Sequence, residues 1–329
     1  MESMIARLSR KRELLRAGDP AHAEIRTALV VDGGSMRGVH TIGVLAALLE
    51  LDMGDVFDYV IGVSVGAPIC AYFVSNQPDM GQEIFFDDLV SPKFIKFSRI
   101  HKIIDLDYFE NILRYDKPLK VERIREHRSK FLIGVTRVRD ASCVYLDMQD
   151  ESIDVVTAIR ATCALPIVYN RKVNINGEMY TDGTTACGLP VSFAVEQLGC
   201  SDVLLILNRE PSPKEDKISV AERMLVQIVC RSFPAQFRKV HIERHTAYNN
   251  ALASVLALSE EVGGHCVEMI VPGAGAIGHF TRDKAKLRAA TEEARLQTLD
   301  LFLVGQPASP HLPDSLLEVD IERLSQITA

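Results

Sequence analysis

Ser64 has the sequence surroundings of a reactive serine. It is the centre of a Gly-x-Ser-x-Gly pattern over residues 62–66, which follows the apolar run 59–61 and precedes a helical pattern of small residues. A strand that turns so sharply into a helix has no space for a side chain at either flanking position, so Gly62 and Gly66 are expected there. The pattern predicts one exposed hydroxyl at the start of a helix, which is the placement that a nucleophile requires.

A glycine-rich loop precedes the serine in the chain. The strand predicted over residues 27–31 ends in Asp-Gly-Gly-Ser-Met-Arg-Gly, residues 32–38, and a helical pattern follows. The glycine spacing fits a nucleotide fingerprint poorly, and no Gly-Lys-Ser/Thr follows as in a P-loop. The loop is therefore predicted to direct two or three backbone N–H groups at the negative oxygen of an intermediate formed on Ser64. A plain connection between strand and helix is the alternative.

Asp182 follows the clearest hairpin signal in the chain. Residues 172–180 alternate between apolar and polar types around Asn176-Gly177, so Asp182 lies at the end of a strand and Gly183 allows the chain to turn. A carboxylate in that position could accept the proton of Ser64 directly. Taken alone, Asp-Gly is also a common turn.

Together, the three patterns resemble the patatin-like phospholipase family. That family has an Asp-Gly-Gly-Gly-x-Arg-Gly loop, a Gly-x-Ser-x-Gly elbow and an Asp-Gly-Ala/Gly motif in the same order, and the block at residues 160–166, closed by a proline, is also similar. The resemblance extends over residues 25–210. It implies a Ser–Asp dyad, in which Ser64 is acylated and Asp182 is the general base and then the acid for the leaving alcohol.

The resemblance also implies roles for the residues around the dyad. Arg37 is expected to steady the loop or to meet anionic groups, with a salt bridge to Asp32 or Asp58 as the alternative. It further implies that the oxyanion hole is formed by Gly33, Gly34, Ser35 and Val65. The loop is expected to be supported by Arg37 and Gly38, and the elbow to be shaped by Gly62 and Gly66.

Two positions depart from the family pattern. Ser35 stands where the family has glycine, so a positive φ there would cost about 1 kcal/mol, and its hydroxyl could donate a hydrogen bond. Thr184 replaces the alanine or glycine after Asp-Gly and is expected to point into the sheet or to cap a helix. Neither change removes a reactive group.

An aspartate can serve as the base only if its pKa is raised. A carboxyl group with a pKa of about 4 is a weak base toward a hydroxyl, and burial raises that pKa because it disfavours the charged form. Tyr180, Met179 and residues 161–166 are the expected apolar neighbours. We expect Asp182 to lie within hydrogen-bonding distance of Ser64 Oγ, despite their separation in the sequence.

The resemblance implies a three-layer α/β/α fold with a mixed, mostly parallel sheet. Apolar patterns predict strands over 131–136, 143–146, 202–207 and 267–271, and helices over 80–127, 154–160, 218–258 and 281–303. The expected division is a basic amphipathic extension over 1–24, a catalytic domain over 25–304 and a loosely ordered tail over 305–329.

Composition narrows the class of protein. The 329 residues are 47% hydrophobic, and no apolar stretch reaches the length of a membrane span. Charges near the start argue against a secretory signal, and seven cysteines without a Cys-x-x-Cys pair favour reduced thiols in the cytoplasm. The net charge of −7 gives no reason to expect nucleic acid. No ligand spacing predicts a metal, and no cofactor is expected.

Two segments mix basic and apolar residues in a way that could contact a membrane surface. They are residues 4–16 and 93–104. The alternative for both is an ordinary amphipathic helix packed on the domain, with its charges in solvent.

The predicted function is hydrolysis of lipid carboxylic esters, of the phospholipase A or lysophospholipase type. One alternative is a Ser-His-Asp triad of the α/β-hydrolase kind, or an acyltransferase with a later histidine. Its candidate histidines are His241, His245, His265 and His279, of which His279 is favoured because it follows a predicted strand. A non-catalytic lipid-binding module is a third reading, favoured only by Ser35.

Overall fold

The computed structural model describes residues 3–99, 102–211, 218–260, 266–273 and 277–304. Within them, eight strands form one mixed sheet, in which five strands pair in parallel and three more strands join through antiparallel pairs. The strands are β1 Thr27–Val31, β2 Tyr59–Val63, β3 Lys130–Arg137, β4 Cys143–Asp147, β5 Val173–Ile175, β6 Glu178–Asp182, β7 Asp202–Ile206 and β8 Cys266–Ile270.

Helices cover both faces of the sheet. Residues of β1 alternate between two cores: Leu29 and Val31 pack with helices α2 and α10, whereas Ala28 and Val30 pack with α9. The arrangement is therefore three layers, as expected. The helices are α1 Met4–Ala17, α2 Val39–Glu50, α3 Gly66–Val74, α4 Pro78–Glu83, α5 Leu106–Asn111, α6 Val121–Glu126, α7 Val155–Thr162, α8 Val220–Val229, α9 Ala235–Glu260 and α10 Lys284–Val304.

One edge of strand β3 is shared by two other strands. Its first part pairs with β2, in parallel, up to Val63 opposite Gly134, and its last part pairs with β6, antiparallel, from Val135 opposite Asp182. Strand β4 pairs with Leu132–Thr136 and so occupies the other edge. The ends of β2 and β6 consequently meet at adjacent positions of β3.

Helix α1 belongs to the body of the domain, which corrects the expected separate extension over residues 1–24. Met4, Ile5 and Leu8 are buried in the main core. Arg7 forms an ion pair with Asp202 (Nη2–Oδ2 2.7 Å), and the buried Lys11 ammonium contacts Asp58. The basic side chains that suggested a membrane surface are in these cases bound to the domain itself.

The cysteines differ from the expectation of seven free thiols. Cys143 of β4 and Cys187 form a disulfide, and their Cα atoms are 4.9 Å apart. Sequence spacing could not reveal the pair, because the sheet brings together residues that are 44 positions apart. The sequence argument for a reducing compartment is weakened accordingly.

Two further expectations can be compared with the structure. The helical stretch predicted over 80–127 is broken into α4, α5 and α6, with wide turns at residues 84–88 and 112–116. The tail expected over 305–329 lies outside the described residues. In the part of the chain that the structure describes, no helix has both the length and the apolar character needed to cross a bilayer.

We expect Gly43→Ala to lower the free energy of unfolding by about 3 kcal/mol, as measured by urea denaturation. A Cβ atom at Gly43 of α2 would lie 2.1 Å from the carbonyl oxygen of Thr291 in α10, so the two helices would have to separate.

Gly54→Ala is the matched control. Its Cβ would meet only the tip of Leu49, at 3.2 Å, so we expect a change within about 1 kcal/mol. Equal effects of the two substitutions would contradict a close approach between α2 and α10.

Candidate active site

The turn between β2 and α3 holds Ser64 in a backbone conformation that few residues adopt. Its φ is +52°, in the left-handed region, which costs roughly 1–2 kcal/mol for a residue with a side chain. A Cβ at Gly62 would lie 2.6 Å from Cα of Ala67, and one at Gly66 would lie 2.7 Å from the Val31 carbonyl oxygen. Both glycines are therefore required by close backbone approach, as the sequence predicts.

Ser64 and Asp182 are in direct contact. The hydroxyl of Ser64 donates a hydrogen bond to Asp182 Oδ2 at 2.9 Å. The contact follows from the shared edge of β3, because Ser64 comes directly after β2 and Asp182 is the last residue of β6. The expected proximity, across 118 positions of sequence, is confirmed.

Asp182 is almost wholly buried, and burial raises its pKa to about 6. Hydrogen bonds oppose that shift: Oδ1 accepts from the N–H (2.8 Å) and hydroxyl (2.6 Å) of Thr184, and Arg244 acts in the same direction at longer range. Thr184 thus fixes the carboxylate instead of pointing into the sheet. Met179, an expected apolar neighbour, is exposed.

Thr162, at the end of α7, holds the backbone of Ser64 in place. Its hydroxyl accepts a hydrogen bond from the Ser64 N–H (2.8 Å) and donates to the carbonyl of Gly134 in β3 (2.5 Å). The side chain is fully buried. The resemblance to the family includes the block at residues 160–166, but it assigns no role to the threonine within that block.

The glycine-rich loop lies against the serine. A Cβ at Gly33 would be 3.2 Å from Cβ of Ser64 and 2.8 Å from Thr184, so only glycine fits between them. Its N–H donates to Asp32 Oδ1 at 2.7 Å, so the backbone donor expected at Gly33 is already occupied. Among the described residues, the N–H groups of Gly34, Ser35 and Val65 have no hydrogen-bond acceptor.

Ser35 does adopt the positive φ on which its predicted cost depends, +56°. Its hydroxyl donates to the carbonyl oxygen of His279 at 2.8 Å, and the N–H of Met36 donates to the same oxygen. The substitution of serine for glycine is therefore compensated by a hydrogen bond from the side chain.

Arg37 binds a backbone carbonyl and makes no ion pair within the described chain. Its Nε donates to the carbonyl of Ile277 at 3.1 Å, while Asp58 is paired with Lys11 and Arg128. The alternative of a salt bridge to Asp32 or Asp58 is therefore wrong. At Gly38, a Cβ would collide with Ile69 of α3 at 2.7 Å, so the start of α2 can approach the elbow.

Two residues that no motif predicted also hold the loop in place. Asn208, just after β7, donates to the backbone carbonyl of Asp32 (2.8 Å) and accepts from Thr41. Tyr248 of α9 donates to Asp32 Oδ2 (2.9 Å). Burial raises the pKa of Asp32, whereas Arg209, the Tyr248 hydroxyl and the Gly33 N–H stabilise its charged form. The position of Asn208 at the carboxyl end of a parallel strand was the available signal.

Three of the four candidate histidines of a triad, His241, His245 and His279, lie within the described residues, and none of them is hydrogen-bonded to Ser64. Within the described residues, the hydrogen bonds of Ser64 and Asp182 involve no imidazole. His241 is buried with Nδ1 2.9 Å from Thr185 Oγ1, and burial lowers its pKa to about 3. His245 and His279 line the cavity described below, and His265 lies outside the described residues.

A cavity of about 550 Å³ opens over the serine and lies within the size range of ligand sites. Ser64, Asp182 and the loop 32–37 form its floor. The predicted segment 93–104 contributes Phe94 and Ile104 to the wall, and its Arg99 pairs with Asp105 (2.8 Å). The wall is largely apolar: Val65, Pro68, Phe85, Leu89, Leu106, Phe109, Leu165, Val168 and Phe280 complete it.

The donor set does not suggest a metal site. Across the ranges that the structure describes, no three or more His, Cys, Asp or Glu side chains are grouped so that they could hold an ion. The polar groups at the floor of the cavity are a hydroxyl, a carboxylate and backbone N–H groups, which suit acyl chemistry.

The class of protein that the sequence and the fold define is the patatin-like phospholipase family. The family's sequence profile matches residues 29–195, about half of the chain, and the chain belongs to that family.

One comparison of sequence and one of structure show how similar the chain is to known proteins. The chain is 29% identical to YjjU of Escherichia coli (strain K12), itself uncharacterised, over 194 residues that cover 57% of this chain and 53% of YjjU. The chain thus spans about half the length of that curated relative. The crystal structure of VipD from Legionella pneumophila superposes with a TM-score of 0.51 at 13% identity, covering 84% of this chain and 66% of VipD, and supports the fold alone.

We expect Asp182→Asn to change how stability depends on pH. Because the pKa of Asp182 is about 6 in the folded protein and about 4 when unfolded, its favourable contribution is complete below pH 4 and is lost as pH rises through 6. Relative to the asparagine variant, the wild type should therefore lose about 3 kcal/mol of unfolding free energy between pH 4 and pH 7.

Urea denaturation at a series of pH values measures this difference. Asparagine can still accept from Thr184 and can donate to Ser64 Oγ, so the variant should fold. Parallel pH curves for the two proteins would show that the pKa of Asp182 is not raised.

Proposed function

We propose that the protein hydrolyses carboxylic esters of lipids through an acyl-enzyme on Ser64, with Asp182 as the general base. The observation that carries the proposal is the 2.9 Å hydrogen bond between the Ser64 hydroxyl and a buried carboxylate. Membership of a phospholipase family supports the substrate class. A phospholipid or lysophospholipid is the proposed substrate.

The chemistry proceeds in two balanced halves. As Ser64 Oγ attacks the ester carbon, its proton moves to Asp182 Oδ2, and the same proton passes to the leaving alcohol when the carbon–oxygen bond breaks. Water then attacks the acyl-enzyme, gives a proton to Asp182, and the fatty acid leaves as that proton returns to Ser64. The raised pKa of Asp182 suits both directions of transfer, because the group gains and loses a proton near neutral pH.

Backbone donors stabilise the intermediate in this proposal. The N–H of Val65 is adjacent to the nucleophile, and those of Gly34 and Ser35 lie in the loop that packs on it. One such donor typically contributes roughly 3–4 kcal/mol to transition-state binding. The Asp32, Asn208 and Tyr248 contacts matter because they fix the loop before substrate arrives.

The apolar wall of the cavity suits an acyl chain. Phe85, Phe94 and Phe109 extend from the serine toward the helices α4 and α5, and no group there would pair with a charged substrate tail. Arg37, Arg209 and Arg244 lie on the cavity wall near the loop and α9, where the polar part of a lipid could sit. The acyl chain is therefore proposed to lie along the phenylalanines.

We expect Ser64→Ala and Asp182→Asn each to lower ester hydrolysis by about a thousandfold or more, because each removes a group that transfers a proton or forms the acyl bond. His279→Ala should stay within about threefold, since the loop uses the backbone carbonyl of His279, which that variant keeps. The assay is hydrolysis of a chain-length series of esters and of phospholipids.

A folded His279→Ala protein without activity would point to a triad and overturn the dyad. Retention of activity in Ser64→Ala would exclude Ser64 as the nucleophile.

We expect the rate of hydrolysis to fall by about tenfold for each pH unit below about 6, because protonated Asp182 cannot accept the serine proton. The measurement is kcat/KM for a neutral ester from pH 4 to pH 8. A midpoint unchanged from an ordinary carboxyl, near pH 4, would contradict a buried aspartate as the base.

A further inference from the structure

Helix α8, Val220–Val229, presents an apolar face to solvent. Val220, Met224 and Ile228 are 71%, 62% and 68% exposed, and because they recur every fourth residue they lie on one side of the helix. Leu225 beside them is also exposed. Single exposed apolar side chains are ordinary, but a contiguous row of them marks an interaction surface. We call these four residues the α8 face.

The opposite side of α8 is anchored in the domain. Val226 is fully buried and packs with Phe233 and Phe237 of the following segment. Glu222 forms an ion pair with Arg244 of α9 (2.6 Å), and the carbonyl of Val229 accepts from Asn170 (3.2 Å). The helix therefore has both a core side and an apolar side without a partner among the described residues.

Helix α8 borders the catalytic cavity through the side opposite the α8 face. Glu222 lines that cavity, as does Ile218 immediately before the helix, together with Ser64 and Asp182. A second wall shows the same combination: Phe94 faces the cavity, while Phe97, three residues on, is 59% exposed and packs edge-on against Phe280 of the cavity wall. Exposed apolar groups thus adjoin the cavity on two separate segments.

The segment that carries the α8 face is basic, although the whole chain carries −7. Residues 219–240 contain a single acidic residue, Glu222, which is paired with Arg244. Their basic residues are Arg223, Arg231, Arg238 and Lys239, of which all but Arg238 are exposed. An apolar row flanked by cations complements the surface of an anionic bilayer, where side chains enter the interface and cations meet the head groups.

We propose that the α8 face docks the protein on anionic phospholipid bilayers. Val220, Met224, Leu225 and Ile228 enter the interfacial region, and Arg223 and Arg231 meet the lipid phosphates. The inference rests on the proposed function in one respect, that substrate would reach Ser64 from the same bilayer. The attachment itself needs no hydrolysis and can be tested separately.

The test is co-sedimentation with vesicles of phosphatidylcholine alone and of phosphatidylcholine mixed with phosphatidylserine, using protein that carries Ser64→Ala so that the lipid stays intact. We expect binding to the mixed vesicles that weakens with added salt. Met224→Ser combined with Ile228→Ser should lower the partition coefficient by about tenfold or more, because two buried apolar side chains are lost from the interface. Arg223→Gln combined with Arg231→Gln should reduce the preference for phosphatidylserine.

Leu296→Ser combined with Leu303→Ser is the matched control. Both leucines are exposed on α10, which covers the opposite face of the sheet, so vesicle binding should be unchanged. Hydrolysis of a soluble short-chain ester, measured with Ser64 intact, should be the same in the wild type, in the Met224→Ser/Ile228→Ser variant and in the Leu296→Ser/Leu303→Ser variant. That assay separates a failure of docking from a failure of the proposed function.

Three outcomes would overturn the inference. The first is that the folded protein does not bind vesicles, and the second is that the α8 and α10 variants lose binding equally. The third is that the protein self-associates in sedimentation velocity and that the α8 variant does not. The last outcome would assign the α8 face to a second copy of the chain.

Discussion

Strand β3 offers one edge to two strands in succession, and the contact between Ser64 and Asp182 depends on that sharing. Strand β2 runs parallel to β3 and must stop where the antiparallel β6 ends, so the sharp turn at the serine leaves the edge free for the strand that ends in the aspartate. Thr162 then bridges Ser64 to the carbonyl of Gly134 at the junction. The left-handed φ at Ser64 is the local cost of leaving the strand within one residue.

Burial raises the pKa of Asp182 and makes the charged form of its carboxyl group costly to hold. The same low-polarity surroundings that raise its pKa would leave a carboxylate poorly solvated, and Thr184 offsets this with two hydrogen bonds to a single oxygen. The other oxygen is left for Ser64. The loop that follows β1 packs directly beside the serine, since a Cβ at Gly33 would lie 3.2 Å from Cβ of Ser64.

The sequence predicted the strands and the proximity of Ser64 and Asp182 better than it predicted the contacts that hold these residues in place. Gly62, Ser64 and Gly66 form a local pattern whose conformation is dictated by short-range sterics, and the alternation before Asp182 likewise marks a hairpin. By contrast, the contact of Asn208 with the loop and the disulfide of Cys143 are products of tertiary packing, to which no spacing rule applies. At the start of the chain, the structure bears out the packed helix over the membrane surface for Arg7 and Lys11, and the sequence alone could not decide because their acidic partners lie far along the chain.

The residues that shape the glycine-rich loop extend well past the sequence motifs. The family profile ends at residue 195, but Asn208, Tyr248 and the carbonyl of His279, which together fix the loop, all come later in the chain. The segment that carries the motifs therefore does not hold its own loop in place. A shortened protein that kept every motif would retain Ser64 and Asp182 yet lose the contacts that fix the glycine-rich loop, so the motifs and their supporting structure have different boundaries in this chain.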